Sequence, residues 1–104
     1  MSGRSGSPNS ARDVHELAHH FYALKDALRL EMLVLLADRD ECTVNEMAAA
    51  LKKSQPLVSW HLRRLKAAGV VKIRRAGREV YCSIDRDSIA QHQQAFLGLI
   101  QRSR

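Results

Sequence analysis

The sequence predicts an α+β fold, mainly helical with one small β-hairpin, and three observations carry that prediction. Apolar residues recur at helical spacing from Val14 to Leu65 and again from Ile89 to Ile100. Between these stretches, from Val71 to Ile84, the period drops to two on either side of the glycine-bearing "RRAGR". A length of 104 residues suits a single domain with one modest core, small enough that association would add useful burial.

Each element has a local reason. "SARDVHELAHHFYAL" pairs Ser10 with Asp13 in a box-like cap and sets Val14, Leu17, Ala18, Phe21 and Leu24 on one face, predicting a helix over 11–24. "DALRLEMLVLLAD" is apolar nearly all round (Leu28, Met32, Leu33, Leu35, Leu36), which predicts the central buried helix. After "RDE" breaks the pattern, Thr43 and Glu46 form a T-x-x-E capping box for a third helix over Val44 to Leu51. The fourth begins three residues later: Ser54 is its N-cap, Pro56 sits in the first turn, and Gly69 ends it. Within it Val58, Leu62 and Leu65 make an inward stripe, while Gln55, Ser59, Trp60, Arg63 and Lys66 face outward, flanked by Leu57 and Arg64. Two short helices joined by a tight turn, the second opening with polar groups, make a helix-turn-helix. Val71 and Ile73, then Val80, Cys82 and Ile84, give two strands of a hairpin. Asp85 caps a last helix over 86–101 that carries Ile89, Gln93, Phe96, Leu97 and Ile100 on one face.

The ten residues "MSGRSGSPNS" read as a flexible tail with no apolar stretch of the kind a secretory leader has, leaving 11–101 as the folded domain. No apolar run approaches the 18 residues that a membrane span needs, and two cysteines without CxxC spacing suit a reducing cytoplasm. A soluble cytoplasmic protein with no membrane partner is therefore expected. The net charge is +6, and its distribution says more than its total. From Lys52 to Arg78 there are nine basic residues and no acidic one, while the remainder holds eight basic against eleven acidic. A positive field confined to the helix-turn-helix and hairpin points to a polyanion, most simply double-stranded DNA.

Enzymatic function finds no support: a glycine-rich phosphate loop, HExxH and GxSxG are all missing, and no acidic pair is placed for a cleft.

In "LKDALRLEMLVLLA", in "TVNEMAAALKKSQPLVSWHLRRLKAAGVVKIRRAGREVYCSI" and in the closing helix, the chain resembles the ArsR/SmtB-like winged-helix transcriptional repressors over residues 11 to 101. The resemblance implies a homodimer whose first and last helices form the interface, a recognition helix starting at Ser54 that enters the major groove, and a hairpin that reaches the DNA as a wing. The terminal helices also carry more apolar residues than the small core can use. Val14, Leu17, Phe21, Phe96, Leu97 and Ile100 are the interface residues expected on that ground.

Ser54, Gln55, Ser59, Trp60 and Arg63 are the candidate base-reading residues, because Gln pairs with adenine, Arg with guanine O6 and N7, and Ser with either. Trp60 would lie along sugar or a thymine methyl. Lys52, Lys53, Arg64, Arg74, Arg75 and Arg78 are expected at phosphates, which fix register without reading sequence. His61 reads as a structural histidine, and Tyr22 and Tyr81 as packing residues. Cys42 precedes the third helix, where winged domains place a short strand beside the one that holds Cys82. Both cysteines read first as small buried hydrophobes and second as a redox pair.

Many metal-sensing relatives carry Cys-Val-Cys at the start of the third helix, and alignment on "ALKKSQP" puts Thr43 and Asn45 there instead. The other common site needs Asp-x-His and His-x-x-Glu in the last helix, and His92 has neither companion. His15 and His19, four apart on the first helix, could in principle join His92 across a dimer, but solvated side chains are the plainer reading. No metal or other cofactor is therefore expected, and DNA affinity would be governed by an unidentified small molecule, by redox state or by the protein's abundance alone. A repressor on a pseudo-palindromic operator is the leading expectation; a winged-helix protein-interaction module is the alternative.

Overall fold

The computed structural model describes residues 11–101; the expected tail over 1–10 and the Ser10 half of the first cap lie outside the described residues. The elements run α1 (Ala11–Tyr22), α2 (Ala27–Ala37), β1 (Cys42–Thr43), α3 (Val44–Leu51), α4 (Gln55–Ala67), β2 (Val71–Ala76), β3 (Glu79–Ile84) and α5 (Arg86–Ile100). This is the expected winged helix-turn-helix, with α1 stopping at Tyr22 rather than at Leu24.

The caps explain where the helices start. The Asp26 carboxylate accepts from the Arg29 amide at 3.1 Å at the head of α2. Thr43 and Glu46 close a reciprocal capping box, at 3.0 and 2.9 Å, on α3. Ser54 Oγ accepts from the Leu57 amide at 3.3 Å on α4. The turn between α3 and α4 passes through Lys52 at φ 57°, a left-handed position that glycine or asparagine adopts more easily. At the far end of α4, the Val70 amide donates to the Leu65 carbonyl at 2.9 Å and the Gly69 amide to Lys66 at 3.0 Å. That double bond is the Schellman motif, and it needs Gly69 at φ +75°.

β3 is the middle strand of a three-stranded antiparallel sheet ordered β1-β3-β2. Ala76 pairs with Glu79, so Gly77 and Arg78 form a two-residue loop, with Gly77 at φ +62° as primed hairpin turns require. Cys42 stands opposite Cys82 in the register, and both are free and fully buried.

The core lies where α2, α3, α4 and the sheet converge, around Met32, Leu36, Met47, Val58, Leu62, Leu65 and Val70, with Cys42 and Cys82. Each large side chain there contributes about 1.5–3 kcal/mol of burial. Two expectations are corrected. α2 is buried on one side only: Met32 and Leu36 face the core, but Leu30 is 45% and Val34 69% exposed, because α3 and the sheet cover a single face of this small fold. Tyr22 is 62% exposed, under the Lys25 ammonium 4.7 Å away, rather than packed. Tyr81 is half-buried beneath Arg74.

The terminal helices pack on each other, with the Phe21 and Phe96 rings edge to face at 5.5 Å. No residue of α5 is buried. Val14, Phe96, Leu97 and Ile100 remain 42–62% exposed and Phe21 is half-buried. Leu17 departs from the expected interface set. It is 5% exposed within the single chain, so packing inside the protomer has already used its surface.

Candidate nucleic-acid interface

The buried stripe Val58, Leu62, Leu65 fixes the rotation of α4 and thereby turns its polar face toward the hairpin. Between them lies a groove of about 170 Å³, walled by Gln55, Ser59 and Arg63 from α4, Asn45 from α3, and Arg75 and Arg78 from the hairpin. Three guanidinium groups thus converge, beside the single carboxylate of Glu79, on one concave strip that also offers two amides and a hydroxyl. Ser54, Lys52 and Lys53 are exposed at its helix-turn end, with Ser54 Oγ engaged as the cap.

Strand alternation separates the wing arginines. Arg75 turns to the groove, whereas Arg74 points to the other face, where it grips Glu41 through two bonds of 2.8 and 2.9 Å and lies 4.4 Å over the Tyr81 ring. Its guanidinium holds the Glu41 carboxyl below its ordinary range. Arg74, expected at a phosphate, is therefore tied back to the body of the protein, and Glu41 is a partner that sequence reasoning did not find.

Trp60 is similarly committed. Its ring is 41% exposed, with the Arg64 guanidinium 4.5 Å over it, Arg29 at 5.6 Å and the His61 ring edge-on at 4.9 Å. Arg29, 7% exposed on α2, donates from Nε to His61 Nδ1 at 3.0 Å and from Nη1 to the Ala23 carbonyl at 3.3 Å. Burial lowers the pKa of His61, Arg29 and Arg64 lower it further, and Asp26 partly opposes them. His61 is thus the structural histidine expected. The sequence reading did not single out Arg29, one of only two charges inside "ALRLEMLVLLA"; Glu31 is exposed, whereas a charge on an apolar helix is buried only with partners.

His15, His19 and His92, the candidate ligands, are not brought together within the chain. His92 is half-buried against His20, His19 borders a separate hollow with Trp60, Arg63, Arg64 and Ala67, and His15 is exposed. Thr43 and Asn45 stand where a thiolate pair would be needed, and the Cys82 thiol is pushed up to about 12, chiefly by burial, while it donates to the Cys42 carbonyl at 3.1 Å. Among the described residues of the single chain no group of three or more His, Cys, Asp or Glu could hold a metal ion. Among them, too, no helix is long and apolar enough to cross a membrane.

A winged helix-turn-helix whose basic groove lies between recognition helix and wing defines the class of protein. The family model described as "Bacterial regulatory protein, arsR family" matches residues 26–72. A cadmium resistance transcriptional regulatory protein CadC homolog of Staphylococcus aureus is 35% identical over 83 residues, covering 79% of this chain and 69% of the relative. A transcriptional repressor SmtB homolog of Synechocystis is 43% identical over 75 residues, covering 72% of this chain and 56% of the relative. A homodimeric winged helix-turn-helix DNA-binding domain of Mycobacterium bovis superposes with a TM-score of 0.73 at 28% identity, covering 100% of this chain and 94% of that one. The chain belongs to the arsR family of bacterial regulatory proteins. It spans about half the length of the first curated relatives it matches.

Proposed function

We propose that this chain is a transcriptional regulator, a cytoplasmic repressor that binds a pseudo-palindromic operator in double-stranded DNA as a homodimer and catalyses no reaction. The convergence of Arg63, Arg75 and Arg78 with Gln55 and Ser59 on one groove carries the reading. Gln55, Ser59 and Arg63, with Ser54 at the helix start, read base edges, and Trp60 braces Arg64 toward a phosphate. Lys52, Lys53, Arg75 and Arg78 hold further phosphates, whereas Arg74 stiffens the wing through Glu41. The terminal helices support the dimer: α5 buries none of its residues, and Val14, Phe96, Leu97 and Ile100 leave an apolar face that a second copy would cover. Relatives named for cadmium or arsenic resistance suggest an effector-responsive regulator. Thr43 and Asn45 in place of a thiolate pair, and His92 without its companions, favour a different signal, a small molecule, redox state or the protein's abundance alone, and the buried thiols favour the small molecule over redox.

Recovery of bound genomic fragments followed by footprinting tests the proposal. Two protected half-sites centred about 34–36 Å apart, one helical turn, are expected. Full-affinity protection of a single asymmetric half-site would refute the dimer, and equal retention of all fragments would favour a protein-interaction module.

A further inference from the structure

Three helices meet at a pair of imidazoles. His20 of α1 is 1% exposed, and its Nδ1–H donates to the carbonyl of Ala68, the C-cap of α4, at 2.7 Å. Its ring lies flat on that of His92 in α5, with centroids 3.8 Å apart and planes 5° from parallel. His92 is oriented by its own Nδ1–H, which donates to the Ser88 carbonyl at 2.7 Å. Gly69 closes the site, since a Cβ there would stand 3.0 Å from His92 Cε1 and 2.6 Å from Ser88 Oγ.

Carbonyls only accept, so both rings carry a proton on Nδ1 and, when neutral, a lone pair on Nε2. In His20 that Nε2 is buried without a hydrogen-bond partner. A bare lone pair is tolerable there; an added N–H⁺ would be a buried, unsatisfied donor and a charge face to face with the second imidazole. Among the described residues the titratable groups that act on His20 are His19 from α1 and His92 from α5; the α4 turn offers the Ala68 carbonyl, and no carboxylate among them compensates. Burial, then these two histidines, hold His20 below its ordinary value, against the opposing pull of the Ala68 carbonyl.

We infer that the stacked His20–His92 pair is a proton-released latch between the α1/α5 face and the end of the recognition helix, closed when both rings are neutral and opened when the pair takes up a proton. α1 packs mainly on α5, and the His20–Ala68 bond ties it directly to α4. The latch therefore sets the angle at which a dimer built on α1 and α5 presents its two copies of α4. Acidification lets that angle relax and weakens binding to paired half-sites. This consequence rests on the DNA-binding reading above; closure of the latch does not.

The test has two arms on the full chain. In the first, NMR follows the histidine rings and the Ala68, Gly69 and Val70 amides from pH 8 to pH 5. The amides are expected to move with the midpoint of the His20 ring, and in His92→Phe, which keeps a stacking ring but removes the imidazole that opposes protonation of His20, that midpoint rises. Amides indifferent to His20 titration, or a midpoint unchanged in His92→Phe, overturn the latch. In the second arm, affinity for a duplex recovered by the genomic selection is measured at fixed salt between pH 7.5 and 5.5. A loss of about tenfold or more is expected in the wild type, and a loss at least threefold smaller in His20→Gln, whose amide can still donate to Ala68. Protonated histidines near DNA ordinarily strengthen binding, so the sign is diagnostic. Identical profiles for the two proteins overturn the latch. A chain that binds no duplex even at pH 8 refutes the DNA-binding reading, and the NMR arm then decides the latch alone, as it does if His20→Gln fails to fold.

Discussion

The Arg29 guanidinium donates directly to the His61 imidazole, Nε to Nδ1 at 3.0 Å, inside the helix-turn-helix core. Arginine stays protonated, so His61 must accept and is held as the neutral Nε2–H tautomer. The pair joins α2 to the inner face of the recognition helix and sets one wall of the Trp60 platform.

Stability should fall on mild acidification. Above about pH 7 His61 is neutral in both folded and unfolded chains. As the pH drops through the unfolded value near 6.5, the unfolded chain takes the proton first, because burial depresses the folded value. Stability is then lost until the folded value is passed, and His20 acts in the same direction. The melting temperature should be lower at pH 5.5 than at pH 7.5, with a shallower dependence in His61→Gln; equal slopes would contradict the assignment.

Arg29→Met should destabilise the fold by about 1–3 kcal/mol, since it strands the His61 acceptor and the Ala23 carbonyl. Denaturant unfolding followed by Trp60 emission measures this, and the native emission should itself shift as the indole loses a charged neighbour.

Gly69→Ala should cost about 1–3 kcal/mol through its left-handed backbone, and more where Ser88 cannot yield to a Cβ only 2.6 Å from its Oγ. Gly77→Ala shares the positive φ but meets nothing within 4 Å, so its cost should be the smaller of the two in parallel melts.

Arg63→Ala should cost about 1–3 kcal/mol on the specific duplex and relax base preference. Arg75→Ala should weaken all duplexes alike and reduce the salt slope by about one. Arg74→Ala should leave the slope nearly unchanged, because Glu41 already occupies its guanidinium. Binding isotherms across a salt series separate the three, and a full unit of slope lost in Arg74→Ala would reverse the division of the wing.

Ile100→Lys should shift the chain toward monomer, raising the dimer dissociation constant tenfold or more while barely changing the protomer's fold, since Ile100 is 62% exposed within it. Sedimentation equilibrium reads the first quantity and circular dichroism the second.

Most helix starts and the hairpin were legible in the sequence because their causes are local. Thr43 with Glu46, Ser54 ahead of Pro56, and Gly69 after Ala68 act within a few residues of themselves, and the structure realises each. The outward face of α4 followed for the same reason, since Val58, Leu62 and Leu65 define the opposite side. The concentration of basic charge between Lys52 and Arg78 also needed no coordinates.

What the chain's order could not express is pairing at a distance. Arg74 and Glu41 are 33 residues apart, Arg29 and His61 32, and His20 and Ala68 48. Whether an arginine meets solvent or a carboxylate, and whether a histidine is solvated or buried in a stack, depends on which elements the fold brings together. The sequence by itself determined the elements, their caps and the sign of the surface. The tertiary structure alone decided that Arg74 pairs with Glu41 at the surface, that Leu17 is used up within one protomer, and that two histidines close the junction of three helices. Side-chain periodicity fixes a face, whereas a partner is fixed only when separate faces close on each other.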